Sequence, residues 1–599
     1  MAITRPDNFK TVPLEIVGSS KFGRYAKINS ERTTNLFISD GFLVDYPAYK
    51  PAIEYLSFHG GAKEGRGLLF STKLNCLIAV MDDRVYLVTI VFDSYYEIIE
   101  SYQVYPIGII SSTTGVVYIT ETNVPQIVIS DNHQIYVYDP NPYWGLNNLP
   151  SFYVAQALDP ANSNAVIPIN FVPGYITFHD GYVIAAASND QVNGAPGLNN
   201  TWRLGRQYSA TPTTVPTQLY FTADKFNVSF LQSKPDNTQA VVRFPSKGNL
   251  IFVMGEITTE AWTDTGNAIF PYTRLNQYNI DYGCVSAATV AYMGELVIWL
   301  GFNEKSGPII LKSNGGMPER ITTDGIDFLF SRLTTPQDSQ AFIYQQDGHT
   351  FYHINFYTDN LSLYYDVDHD KFYNAVDSFY NYYPASVVAY YGNEYYFITK
   401  NNGTLFAMDS TITTYTEQDQ NGNYILHEVP RMRTTQNFRQ ASQEYTVIND
   451  VGFTIETGET GYNQQDTGPL LWQTQNQILV ITQGSATYWI SQDVIFIKAQ
   501  NGNDIIFQFL SPVGDNILFQ QEGTTGTGFL SVPRVDFCVS RDGGASFGTV
   551  IPYYLNPIGQ RKNKLQWWVG GISNDAVLQF RFWSLGRTVV TNGEVNFRK

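Results

Sequence analysis

Short apolar runs, each closed by Gly, Asn or Asp, set the pattern of this chain. The run 67–71 leads through Lys73 and Asn75 to 76–80, then a turn at Asp82-Asp83, then 84–88. The cadence returns at 116–138 around Asp131-Asn132, and at 175–184 around Asp180-Gly181. Gly after Asp supplies the positive φ that a tight hairpin turn needs. Further units start near 248, 294, 351 and 393. Strand, turn, strand at this rhythm is the cadence of a propeller blade. Units recurring at roughly 40–70 residues predict about six or seven blades over 61–415. Helical patterning is confined to 287–292 and 324–332.

The flanks read differently. Residues 1–60 carry Pro6, Pro13, Pro47 and Pro51 with little periodicity. They are expected to form an N-terminal arm draped over a neighbouring subunit. Residues 416–599 are expected to form a C-terminal β-domain, beginning with a polar stretch, 416–442, that lacks a core pattern. Val535, Phe537 and Val539 then alternate with Asp536 and Cys538; Leu578, Phe580 and Phe582 alternate with Gln579 and Arg581. Alternation of this kind predicts a β-sandwich-like domain. Asn501-Gly502 between 494–497 and 505–507 predicts a hairpin. The segment 455–530, rich in Gln, Asn, Thr and Gly, reads as an inserted subdomain. The expected fold class is all-β.

Composition sharpens this. The 599 residues include 42 Tyr, 38 Phe and 47 Gly, and only 15% are charged, against about 25% in average globular chains. The net charge is −17, from 37 basic and 54 acidic side chains. Such a balance argues against a protein built to grip nucleic acid, which needs Lys and Arg against phosphates. An acidic wall does suit a conduit that DNA slides through, because it repels the polymer. Cys76, Cys284 and Cys538 are far apart and odd in number, so no disulfide framework or metal-binding cysteine pair is expected. The polar opening shows no signal peptide, and no apolar run is long enough for a membrane-spanning helix.

Candidate chemistry is sparse. Ser540 to Phe547 fits the Asp-box pattern, in which the Asp542 carboxylate holds a hairpin turn and Phe547 packs inward. Sialidases carry several such boxes, and here one is found. Asp366, Asp368 and Asp370 resemble the start of a calcium loop. However, Lys371 stands where Gly is needed, and Asp377 where a bidentate Glu is needed. A solvated turn is the preferred reading. The seven histidines, His59, His133, His179, His349, His353, His369 and His427, form no metal-binding spacing. No nucleophile elbow, Walker A or dinucleotide fingerprint occurs. Paired carboxylates for glycoside hydrolysis cannot be picked out among 54 acids. Arg561, Lys562, Lys564, Arg581, Arg587, Arg598 and Lys599 lie near Trp567 and Trp568, a grouping better suited to a subunit contact than to DNA. No catalytic residue, cofactor or metal is expected.

Several blocks resemble one family. Arg32 and Asn35 lie in an opening motif (31–37), followed by 45–49 with Ala48 where Gly is usual. Gly255, Glu260, Trp262, Gly266, Pro271, Gly283 and Trp299 make up a central block. Asp542 and Gly544 belong to the closing one. Together they resemble the packaged-DNA stabilisation, or tail hub (nozzle), proteins of short-tailed bacteriophages; 455–530 departs from the pattern. The resemblance implies a non-enzymatic virion protein assembled in the host cytoplasm. It implies a homohexameric ring below the portal adaptor ring, extending the DNA channel, retaining the genome and anchoring tail fibres or spikes. DNA would pass through without specific binding. The alternative left open by the Asp box is a carbohydrate-binding or sialidase-like propeller.

Overall fold

The turns between apolar runs fold as their residue types dictate. Asn75, Asp82, Asn132, Asp180, Asp347 and Asn393 all sit in the left-handed region, with φ of 48–69°. Asn and Asp tolerate that conformation better than other non-glycine residues. Each turn reverses the chain into an antiparallel neighbour, so the computed structural model is almost wholly β. It describes residues 9–23, 31–53, 64–92, 99–140, 151–159, 165–191, 197–208, 218–222, 228–267, 270–401, 404–418, 424–439, 445–457, 470–474, 477–481, 487–489, 496–498, 504–508, 518–519, 533–555, 562–569, 571–584 and 586–598.

Sheets follow one another along 65–409. Sheet 1 spans 65–109, sheet 2 118–154, sheet 3 156–230, sheet 4 238–280, sheet 5 283–320, sheet 6 340–374 and sheet 7 385–409. The inner strand of each packs beside the next sheet, and Ala385–Tyr391 of sheet 7 packs back on Gly65–Ser71 of sheet 1. The ring thus closes as a propeller. The fourth strand of sheet 7 is Ala48–Ile53, paired antiparallel to Leu405–Asp409.

Five sheets (1, 2, 4, 5 and 7) stand alone with four or five strands each. Sheet 3 grows to seven strands, and sheet 6 is one end of a ten-stranded sheet. Five of the sheets are separate blades, so the count differs slightly from the six or seven expected, and the two enlarged sheets complete the ring. Strand cadence reports hairpins, not where a sheet stops.

The ten-stranded sheet runs from sheet 6 through Arg32–Thr34 and Arg431–Thr434 into Asp575–Trp583, Arg534–Ser540 and Ile551–Tyr554. An eight-stranded sheet, which includes Phe9–Leu14, Phe42–Asp45, Thr446–Thr457 and Gly593–Arg598, faces its far half. Between them lie Leu14, Leu43, Phe453, Phe537, Trp567 and Phe580, making the predicted sandwich. Truncating a buried Phe such as Phe580 would cost about 3–5 kcal/mol.

Three expectations meet different structure. Residues 1–60 place their described strands in this chain's own sheets: four of them pair with strands hundreds of residues away, and Leu36–Ser39 pairs with Phe42–Asp45. The patternless stretch 416–442 holds the end of Thr414–Gln418, its partner Tyr424–Glu428, and then the buried strand Arg431–Thr434. Its interior is ionic, so apolar periodicity does not reveal it. Val539 is only half-buried while Cys538 is buried, which breaks strict alternation in Arg534–Ser540. Of the hairpin predicted around Asn501-Gly502, the strands Phe496–Lys498 and Asp504–Gln508 do pair; the turn itself lies outside the described residues. The predicted helix forms at Asp324–Phe330, capped by the Thr323 side chain, and 287–289 is a 3-10 turn.

Candidate functional site

The central motif block folds into sheets 4 and 5, where its residues act as braces. Glu260 is buried on Thr259–Asp264. One carboxylate oxygen accepts the backbone N–H groups of Gln232 (2.7 Å) and Ser233 (2.6 Å). The other accepts the Trp262 indole N–H at 3.2 Å. Trp262 in turn meets Trp202 of sheet 3 edge-to-face at 5.3 Å. Gly255 lies beside Asp236, whose carboxylate accepts the backbone N–H groups of Glu256, Ile257 and Thr258 at 2.9–3.0 Å. Asp236 escaped the sequence reading; a lone Asp after Pro235 carries no distinguishing signal.

Gly283 shows why the sheets need small residues here. A Cβ on it would lie 2.3 Å from the Glu256 carbonyl carbon. Its own carbonyl accepts the Trp299 indole N–H at 3.1 Å. Gly266 takes φ +65° in a turn where it donates to the Asp264 side chain, and the Pro271 carbonyl accepts the N–H of Thr265. The block is thus brought together as an inter-sheet scaffold.

The opening motif pins propeller to sandwich. Asn35, fully buried with φ +54°, donates its side-chain amide to the carbonyls of Val376 and Pro430, each at 3.1 Å, and accepts the Val376 N–H at 3.0 Å. Arg32 bonds the carbonyls of Lys21 and Glu31 and covers the Phe22 ring at 4.3 Å; burial pulls its guanidinium down to about 10. Arg431 pairs with Asp45 at 2.8 Å, and burial pushes the Asp45 carboxyl up against that pull.

The closing motif is a turn. The exposed Asp542 carboxylate accepts the Ser540 hydroxyl (2.6 Å), the Ser546 N–H (2.9 Å) and the Ser546 hydroxyl (2.6 Å), bonds that hold it below the usual carboxylate range. Gly544, at φ +94°, donates to the Ser540 hydroxyl at 2.8 Å. Phe547 is half-buried rather than packed inward.

The supposed calcium loop joins Leu361–Asp366 to Lys371–Asn374. Asp368 accepts the Thr350 N–H at 2.6 Å, and Asp370 receives the Tyr365 hydroxyl. These acids do not converge. Instead, Asp366 meets His349 and His369 at 2.9 and 3.1 Å, a grouping that histidine spacing did not reveal. His353, four residues beyond His349 on the same strand, is satisfied by Tyr46 (2.6 Å) and Asn355 (2.9 Å).

At the sandwich, Trp567 is core while Trp568 is 70% exposed. Lys562, Lys564 and Gln566 share the outward face with Trp568, beside Ile572 and Tyr445. Ile551 and Tyr554 are exposed on the last strand of the ten-stranded sheet. Arg587 reaches Asp347 of the propeller at 3.5 Å. Arg561 and Lys599 lie outside the described residues. A cavity of about 770 Å³ opens where inner strands of sheets 2 to 5 converge, lined by Tyr118, Tyr175, Gln239, Glu256 and Ser286.

Closed ring, shared sheet and buried braces define a β-propeller joined to a β-sandwich. A family model described as bacteriophage P22 Gp10, β-propeller, matches residues 211–413, from the end of sheet 3 through sheet 7. Over that part of the chain the match supports a phage structural protein. No curated protein matches the chain. Among solved structures, a virginiamycin B lyase from Staphylococcus aureus is similar over 61% of this chain and 99% of its own, at 10% identity and a TM-score of 0.34. A Trypanosoma rangeli sialidase is similar over 100% and 97%, at 9% identity and a TM-score of 0.25. At these scores neither likeness bears on what the chain does.

Proposed function

We propose that the chain is a tail hub, or nozzle, subunit of a short-tailed phage, and that it is structural rather than enzymatic. The observation that carries this is the phage propeller match over 211–413. A ring of radially packed sheets leaves only short, protected strand edges, and its loops at either end can each face a different partner. We assign the subunit to a homohexameric ring beneath the portal adaptor. There it extends the channel, retains packaged DNA, conducts it during ejection and anchors fibres or spikes. The net charge of −17 suits a wall that must not hold DNA. We place contacts between copies on the sandwich, where Trp568, Ile572, Tyr554 and Ile551 are exposed.

Electron microscopy and light scattering of the purified full-length protein, alone and with the adaptor ring, test this reading. A ring that caps the adaptor is expected. A protein that stays monomeric and never joins the adaptor overturns it.

A further inference from the structure

We propose that His349, Asp366 and His369 form a binding site for a divalent transition cation of the zinc, cobalt or nickel class.

Two hairpin turns of sheet 6 bring the three residues together. His349 opens the strand His349–Phe356 after the Asp347-Gly348 turn. Asp366 ends the neighbouring strand, and His369 lies in the turn that follows. The Nδ1 atoms of both imidazoles approach the same Asp366 oxygen, at 2.9 and 3.1 Å. Candidate ligand atoms from all three residues lie within 4.8 Å of one another. In a tetrahedral site with bonds of about 2.0–2.1 Å, neighbouring ligand atoms stand about 3.3 Å apart, so only a small parting would admit the ion.

The surroundings fix the ligands. His349 Nε2 lies 3.3 Å from the Ser39 hydroxyl. A proton held there leaves Nδ1 as the free lone pair, the usual outer support of a metal-bound histidine. The His349 ring is parallel to Phe351 at 5.7 Å, meets Phe37 edge-on at 5.1 Å and stacks on His369 at 4.7 Å. The other Asp366 oxygen accepts the Asp368 N–H at 3.1 Å. His349 and Asp366 are buried, whereas the His369 side chain is 53% exposed. The site therefore has a closed floor and one open side, through which a cation and its remaining water ligands can enter.

Ligand chemistry selects the ion. Two imidazoles and one carboxylate suit borderline divalent cations. Calcium needs six to eight oxygens, and Asp368 and Asp370 are engaged elsewhere. A bound ion would staple both turns of sheet 6 to Ser39, beside the junction with the sandwich.

The same distances also describe a carboxylate accepting two imidazole N–H groups, and titration separates the two cases. Cobalt(II) added to metal-free full-length protein is expected to bind at one equivalent, with visible absorption from the coordinated ion. His369→Ala and, separately, Asp366→Asn are expected to weaken binding by at least about tenfold. Because His369 is in an exposed turn, its variant keeps the fold, which circular dichroism would verify. Zinc is expected to raise the melting temperature of the parent protein and not of His369→Ala. Absence of saturable cobalt binding, or equal binding by His369→Ala, overturns the proposal.

Discussion

Glu31 and Arg433 are 402 residues apart in sequence and meet at 3.0 Å, both buried, where propeller and sandwich share a sheet. The same guanidinium donates to the carbonyls of Ser19 and Glu15 and to the Thr33 hydroxyl. Removing one partner of a buried pair costs about 3–5 kcal/mol, chiefly by stranding the other. Arg433→Met is therefore expected to lower the denaturant midpoint strongly. Lys21, 47% exposed and 2.9 Å from Glu31, is the comparison: Lys21→Ala should cost about 1 kcal/mol or less. Equal effects of the two would contradict the junction's ionic design.

Gly283→Ala tests the close approach of sheets 4 and 5. The new methyl would meet the Glu256 backbone, which cannot swing away as a side chain could. Overpacking of this kind costs about 1–3 kcal/mol. The melting temperature should fall in Gly283→Ala and stay close to the parent's in Gly316→Ala, where nothing lies within 4 Å.

His353 gives the fold an acid sensitivity. Burial pulls its imidazole from 6.5 down to about 3. Below pH 6.5 the unfolded chain binds a proton that the folded chain refuses until about pH 3. Stability then falls by about 1.4 kcal/mol per pH unit, and above pH 6.5 the effect is absent. His353→Gln keeps hydrogen-bonding capacity without titrating. Melting curves from pH 7 to 4.5 should be flatter for that variant; matching slopes would refute the assignment.

Asp542→Ala should act locally. Hydrogen exchange at the Ser546 amide is expected to quicken, because its acceptor is gone, while exchange in the propeller sheets stays the same. A slowdown, or a change spreading to 65–409, would show that the turn does more than close a hairpin.

Trp568→Ser bears on assembly. The side chain is 70% exposed, so its loss should change the monomer's stability by no more than about 0.5 kcal/mol. If copies meet through this face, ring formation in light scattering should weaken. Intact rings would move the contact elsewhere.

Local chemistry made the hairpins legible. Asp180-Gly181 and Asp82-Asp83 mark turns by residue type alone, and the structure turns there. The short run at 324–332 sufficed for the helix, while its cap, Thr323, came from the structure. What stayed hidden depends on partners remote in sequence. Arg431 and Arg433 sit in a strand whose interior is charged, and their partners Asp45 and Glu31 lie hundreds of residues earlier. Ala48–Ile53 reads as an irregular Pro-containing stretch because its pairing partner is Leu405–Asp409. His349 and Asp366, 17 positions apart in sequence, converge through strand register, so no spacing motif marks them. The family resemblance reached Glu260 and Gly283, yet their role as braces emerged only from their neighbours.

The closing of sheet 7 by Ala48–Ile53 sets an order on the birth of the protein. That strand leaves the ribosome early and must remain single until Leu405–Asp409 emerges. At about 5–20 residues per second the wait is on the order of half a minute. Through that interval an unpaired edge is available to any other nascent copy. Ala48–Ile53 works as a clasp, and a translational pause before Leu405–Asp409 would lengthen the window in which two chains can exchange their clasps.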